Sequence, residues 1–456
     1  MVALLHALPD RHGLGELGEM NGIRTLWPVV FCVAMLSAPV AAGEAQDVTP
    51  FVATARRAGL RVLESERLVL VTDRPPREGD GVDQLPAVFD AAFDAWCRHY
   101  VVDPAAVPGW RALGCLVVDR ERFRAAGLLP DTIPEFENGY CDRNRFWLAD
   151  QSNPAYRRHL LLHEGAHAFT LTVRSLATPV WYNEGIAEFL ATHRLERAGD
   201  TMRFVATPIP DRAADVEQLG RIETLRELRA TGKAPALASV LAAPAGVHHA
   251  VADYAASWAA VALFARHPAY ANDFSSLERG PLGPDFNDRL AAMPGYDAAR
   301  AARDFDAFTD DVDYGYDFTR SAIDWSPGRP LVSPARVSVA ADRGWQNTGL
   351  ALARGEKVAL TASGRVSLGT SGTTPIESEP DGISLEWYRG RPLGRLLAAQ
   401  WVESPPDGGR PRFVVLGEGP KATLTAATDG PLYLKVNAPP GRLARHGGTF
   451  DVTLTP

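Results

Sequence analysis

The sequence predicts an α+β domain followed by an all-β sandwich, on three observations. Residues 50–150 alternate strand and helix signals and lead into residues 160–169, a run apolar enough to be a buried helix. Residues 195–325 keep apolar positions at helical spacing. From residue 335 onward, short strand-like runs recur between Gly and Pro turns, the pattern of a sandwich. The expected boundaries are 1–42 as a leader, 43–150 as an α/β part, 151–325 as a mainly helical part, 326–334 as a linker and 335–456 as the sandwich.

A chain of 456 residues accommodates two or three domains, and 46% hydrophobic with 22% charged residues is a globular composition. A net charge of −8 and a pI near 5.8 argue against nucleic acid or an anionic membrane as partner. Residues 20–45 read as an export signal. Arg24 precedes the apolar run from Leu26 to Leu36, and Val40-Ala41-Ala42 offers a small-residue cleavage site. The run is short and holds Pro28, which argues against a transmembrane anchor. Residues 1–19 lack such a pattern, so Met20 is the expected start. Export permits disulfides, yet Cys97, Cys115 and Cys141 are three and form no C-x-x-C pair. Packing as small hydrophobes is as good a reading of them as bridging.

In chain order, Arg61-Val62-Leu63 and Leu68-Val69-Leu70-Val71-Thr72 read as strands, the second ended by Pro75-Pro76. Residues 85–100 have helical periodicity with Phe89, Phe93, Trp96 and Cys97 on one face, an aromatic stripe best read as core. Residues 113–118 are a buried-strand run, and residues 139–148 read as an edge strand before the apolar helix.

Within that helix stands His163-Glu164-Gly165-Ala166-His167. One turn apart, His163 and His167 point the same way and offer two corners of a tetrahedral zinc site. Glu164 is placed to act on a water beside the metal instead of ligating it. The competing reading is an ordinary core helix with two satisfied histidines. Two buried histidines beside a buried glutamate are costly without a compensating cation, which favours the metal. His159 lies a turn earlier, too far along the axis for a third ligand. Downstream, Trp181-Tyr182-Asn183-Glu184-Gly185-Ile186-Ala187-Glu188 reads as a second helix with Asn183 as N-cap. Glu184 and Glu188 share a face, so one can ligate while the other supports a ligand histidine.

These two motifs together resemble the gluzincin metallopeptidases, whose aminopeptidase and thermolysin-like branches carry W-x-N-E-G-x-A or N-E-x-x-x-D elements. The resemblance implies a zincin-like domain over about residues 60–270. It further implies Zn2+ held by His163, His167 and Glu184, with Glu188 supporting a histidine and Glu164 as general base. Between His167 and Glu184 lie 16 residues, two fewer than in the aminopeptidase branch, so the loop shaping the cleft differs. The segment Asp253-Tyr254-Ala255-Ala256-Ser257 resembles the helix whose tyrosine stabilises the oxyanion in that branch, which implies that role for Tyr254. His248-His249, just before it, are alternative donors, though exposed loop histidines are their simpler reading. The family's edge strand pairs with the backbone of a peptide or protein substrate.

Residues 219–230, residues 237–242 and a segment from Asp253 are further helices, and residues 324–330 shift in composition toward a linker. Beyond it, Trp345-Gln346-Asn347-Thr348-Gly349 and Gly430-Pro431-Leu432-Tyr433-Leu434-Lys435-Val436-Asn437 resemble the bacterial galactose-binding PA-I-type lectin fold. There, an N-D and a D-N-x-G segment bind calcium and sugar; here Ala438 follows Asn437 and Arg445-His446-Gly447-Gly448 replaces the acids. The fold likeness implies a carbohydrate partner, while the missing oxygen ligands argue against it. The expected activity is exported, zinc-dependent hydrolysis of peptide bonds. The alternative is a non-enzymatic cell-envelope binding protein that works through its sandwich.

Overall fold

A helix apolar on every face has to be enclosed, and the chain up to residue 325 is arranged around one. The computed structural model describes residues 47–198, 201–216, 220–244 and 250–456. The expected leader, Met20, Leu219 and His248-His249 lie outside the described residues. Helix α1 (Thr49–Arg57) leads to the antiparallel pair β1 (Arg61–Glu64) and β2 (Leu68–Thr72). Helix α2 (Leu85–Tyr100) precedes β3 (Ala112–Val117), which lies parallel to β2. After α3 (Arg120–Ala125), β4 (Gly139–Asp142) and β5 (Arg145–Ala149) complete a sheet of order β1-β2-β3-β5-β4. β2 and β3 are buried at every position, as strands covered on both faces must be. The stretch expected as a single edge strand is a hairpin. Arg143, at φ 59° in its turn, reverses the chain, so β4 alone forms the edge while β5 pairs with β3 inside.

The enclosed helix is α4 (Pro154–Val173). Asn153 opens it, accepting from the backbone N–H of Ala155 (2.7 Å) and Tyr156 (3.0 Å), with Pro154 in the first turn. It is buried without a break from His159 to Thr170. One flank packs on α2, where Phe93 and Trp96 meet Phe169 and where a Cβ on Gly165 would stand 2.4 Å from Phe89 Cε2. The other flank meets α5 (Val180–Ala191). This helix begins after Pro179, earlier than expected, because the extended proline sets its entry and leaves Asn183 inside the first turn.

A hairpin, β6 (His193–Ala198) and β7 (Thr201–Ala206), interrupts the region expected to be helical. Helices α6 (Arg221–Ala230), α7 (Leu237–Leu241) and α8 (Val251–Arg266) follow. After them come α9 (Ala271–Arg279), α10 (Phe286–Ala291), α11 (Ala298–Asp311) and α12 (Phe318–Ser321). α5 lies close against α8, since a Cβ on Gly185 would fall 2.4 Å from the Ser257 carbonyl oxygen.

Residues 326–334 contribute a short strand, β8 (Arg329–Pro330), to the all-β region. It continues with β9 (Ala335–Ala340), β10 (Gln346–Leu352), β11 (Lys357–Ser363), β12 (Val366–Ser371), β13 (Thr374–Ser378), β14 (Ile383–Tyr388) and β15 (Arg391–Leu393). The last strands are β16 (Leu396–Val402), β17 (Arg412–Glu418), β18 (Lys421–Thr425), β19 (Gly430–Val436) and β20 (Gly447–Thr455). One sheet has the order β17-β16-β19-β10-β8; the other is β13-β12-β20-β11-β18, with β9 also paired to β20. Leu350, Leu360, Leu396, Leu434 and Val452 belong to the apolar core of this region, the arrangement of a sandwich.

The two regions are tied together. Asp306 of α11 takes Arg229 of α6 (2.9 Å) and Arg410 from the sandwich (2.7 Å), while Lys435 of β19 reaches Asp311 at 2.7 Å. Trp325, Trp401, Phe413 and Tyr433 form an aromatic cluster alongside. Among the described residues, no helix is long and apolar enough to cross a membrane.

Candidate metal centre

Helical spacing places His163 and His167 on one face of α4, and the packing of α5 against α4 brings Glu184 across from them. His163 Nε2 and His167 Nε2 are 3.1 Å apart, and Glu184 Oε2 lies 3.4 Å from the first and 3.3 Å from the second. Ligands placed tetrahedrally at bond lengths of about 2.0–2.1 Å stand about 3.3–3.4 Å from one another. The three atoms therefore have the mutual spacing that a tetrahedral metal site requires, and two imidazoles with a carboxylate are groups that could hold a metal ion. The histidine rings stand nearly perpendicular, 85° between planes, with centroids 4.7 Å apart.

The outer nitrogens of both imidazoles are engaged as well. His167 Nδ1 lies 3.2 Å from Asn183 Oδ1, so the residue expected as a helix cap instead orients a histidine. His163 Nδ1 faces Glu188 Oε1 at 3.2 Å, a charge contact without well-aligned hydrogen-bond geometry. Glu188, 2% exposed, also lies 3.3 Å from His159 Nε2 and accepts from Arg221 Nε (3.0 Å) and Nη2 (2.7 Å). His159, His163 and Glu188 form a second cluster of metal-ligand type. Its carboxylate already carries a two-point guanidinium partner, and another cation there would sit against that charge.

Electrostatics separate the carboxylates. Burial pushes Glu184 up, but His167 and His163 outweigh it and hold the group well below the ordinary carboxylate range. Glu188 is likewise held low, by Arg221 and His159 against the cost of burial. Glu164 goes the other way: burial raises it, and the neighbouring histidines only moderate the rise. Its carboxylate rests on the edge strand, where a Cβ on Gly139 would come within 2.4 Å of Oε1. For His163, burial is a depressing influence, and the Glu184 and Glu188 carboxylates overcome it to raise the imidazole to about 10.

Tyr254, near the start of α8, joins the group. Its ring centroid is 6.0 Å from that of His163, and the Arg221 guanidinium lies 5.5 Å over its face. Burial, then Glu184, Glu164 and Glu188, push its phenol up, so it stays protonated as a donor. Cys141 of β4 is close enough to feel Glu164 and Glu184, and its thiol is held up mainly by burial. Cys97, Cys115 and Cys141 are all free thiols.

Arg221, Gly139 and the true role of Asn183 escape the sequence. Arg221 follows a glycine at a helix start thirty-three residues from Glu188, and nothing in spacing marks it. In the sandwich, Asn437 is 3% exposed, and its amide donates to the carbonyls of Tyr388 (3.1 Å), Arg391 (3.2 Å) and Pro392 (3.0 Å). It braces the β14–β15 hairpin.

No family model matches the chain, and no curated protein matches it. Among solved structures it pairs with an "EclA N-terminal domain; PllA-like lectin" at 23% identity and a TM-score of 0.20, over 26% of this chain and 93% of that one. At that score the sandwich is defined by its own strand pairing.

Proposed function

We propose that the protein is an exported zinc metallopeptidase of the gluzincin type, with a zincin-like domain and an accessory sandwich. The observation that carries the reading is the convergence of His163, His167 and Glu184 to mutual distances of 3.1–3.4 Å, beside the separate buried Glu164. A purely structural zinc site takes four protein ligands and has no use for a buried base; three ligands and a base leave room for chemistry.

Bound there, zinc supplies a Lewis acid for water and for a peptide carbonyl. Glu164 takes the proton of the attacking water and delivers it to the departing amine, and a raised pKa suits a group that must do both. Tyr254, kept protonated, donates to the developing oxyanion. Asn183 and Glu188 hold the outer nitrogens of the two imidazoles, so neither ring has to reorganise during the reaction. Among the described residues β4 is an edge strand of its sheet, and an extended peptide would add there as a further strand. Because Gly139 of that strand touches Glu164, such a peptide runs past the base. Export follows from residues 20–45.

The test is metal analysis and peptide-library cleavage by the mature chain. One zinc per chain is expected, absent in Glu184→Ala and retained about 10–100-fold more weakly in Glu188→Ala. Glu164→Gln should keep zinc and lose about 10²–10⁴ in rate. A wild type without stoichiometric zinc sinks the reading. Zinc without cleavage of any peptide moves the balance to the non-enzymatic binding protein.

A further inference from the structure

Arg221 stands where three parts of the site meet. Its guanidinium grips both oxygens of Glu188 at 2.7 and 3.0 Å, and its side chain is only 11% exposed. The same Glu188 oxygen that takes Nη2 lies 3.2 Å from His163 Nδ1. Across its other face the guanidinium covers the Tyr254 ring at 5.5 Å. A planar fork fixes the plane of a carboxylate in a way that one point charge does not. The fork is itself held in place. Arg221 is the first residue of α6, Arg226 Nε of that helix donates to the Val312 carbonyl (3.1 Å), and Arg229 is anchored on Asp306 (2.9 Å) and on the Pro411 carbonyl (2.7 Å).

We propose that Arg221 is a positioning residue of the metal centre: by clamping Glu188 against His163 and covering Tyr254, it orients a ligand imidazole and Tyr254 together. This rests on the zinc reading above, applied to a residue that neither ligates metal nor meets substrate. Its effect passes through Glu188, so Arg221 and Glu188 act as one unit.

The test uses the full mature chain with Arg221→Met, Arg221→Lys, Glu188→Gln and the double variant Arg221→Met/Glu188→Gln. Zinc affinity is measured by chelator competition and ligand geometry by the absorption spectrum of the cobalt-substituted protein. Thermal melts of the metal-free proteins control for folding. Arg221→Met should bind zinc about 10–100-fold more weakly, with an altered cobalt spectrum. Arg221→Lys should recover part of the loss, and it supplies the measurement if the methionine variant does not fold. The double variant should bind no more weakly than Glu188→Gln alone. Wild-type affinity and an unchanged cobalt spectrum in Arg221→Met would overturn the proposal and leave the zinc reading standing, as would fully additive losses in the double variant. Absence of zinc from the wild type overturns both.

Discussion

On the proposed zinc reading, a proton and a metal ion would compete for the imidazole of His163. Raised from an ordinary imidazole value of about 6.5 to about 10, it binds its proton more tightly in the folded metal-free chain than in the unfolded one. The stability this lends is fully present below pH of about 6.5 and lost as pH rises through about 10. Zinc has to displace that proton, so its apparent affinity should fall about tenfold for each pH unit below about 10. Calorimetric titration in buffers of different ionisation heat should register release of about one proton at neutral pH; no release would contradict this picture of the site. Gly139 gives a second residue-scale prediction. In Gly139→Ala the new Cβ meets Glu164 Oε1 at 2.4 Å, so the base must shift. A displacement of about 1 Å typically costs about 100-fold in rate, and the variant should lose that much while its zinc content is unchanged. Equal turnover at equal zinc would show that Glu164 does not have to sit there.

At the scale of elements, two close approaches set the geometry. Gly165 lets α4 press on α2, and Gly185 lets α5 press on α8 until Ser257 O is 2.4 Å from a would-be Cβ. That carbonyl is backbone and cannot swing away, so Gly185→Ala has to push the helices apart. Overpacking of this kind costs about 1–3 kcal/mol. Because α5 carries Glu184 and α8 carries Tyr254, urea unfolding should show the lost stability and cleavage assays a lower rate in the same variant. An unchanged midpoint would mean that the two helices have slack to absorb a methyl group. The H-E-x-x-H helix and the helix with Glu184 were legible because helical spacing alone aligns their side chains. The start of α5 was not, since asparagine is a favoured cap and only the tertiary fold shows its amide turned to His167. The hairpin in residues 139–148 was missed although Asn144 in its two-residue turn is a turn-favouring type, because Arg143, the position at φ 59°, carries no such signal.

For the molecule as a whole, the sandwich is bolted to the helical region through a buried carboxylate. Asp306, 2% exposed, holds Arg229 and Arg410 together. Asp306→Asn leaves two guanidinium groups facing a neutral amide. Breaking a buried pair typically costs about 3–5 kcal/mol; the lower end is expected because Arg410 remains 26% exposed. Calorimetry should show a single transition for the wild type and a lower one for the variant. Two separate wild-type transitions, neither moved by Asp306→Asn, would show that the regions are independent.

The sequence by itself determined the two-part architecture, because periodicity and turn residues act over short stretches of chain. It also determined which imidazoles and carboxylates are available as ligands, since His163 and His167 need only one turn of helix to align. Tertiary structure alone decided what those groups do. The packing of α5 on α4 brings Glu184 Oε2 within 3.4 Å of both imidazoles and turns Glu188 to His163 Nδ1. The return of α6 brings Arg221 onto Glu188 from thirty-three residues away. Edge placement of β4 sets Gly139 against Glu164. Such contacts depend on where distant segments pack, and a burial pattern along one segment holds no record of its neighbour's side chains.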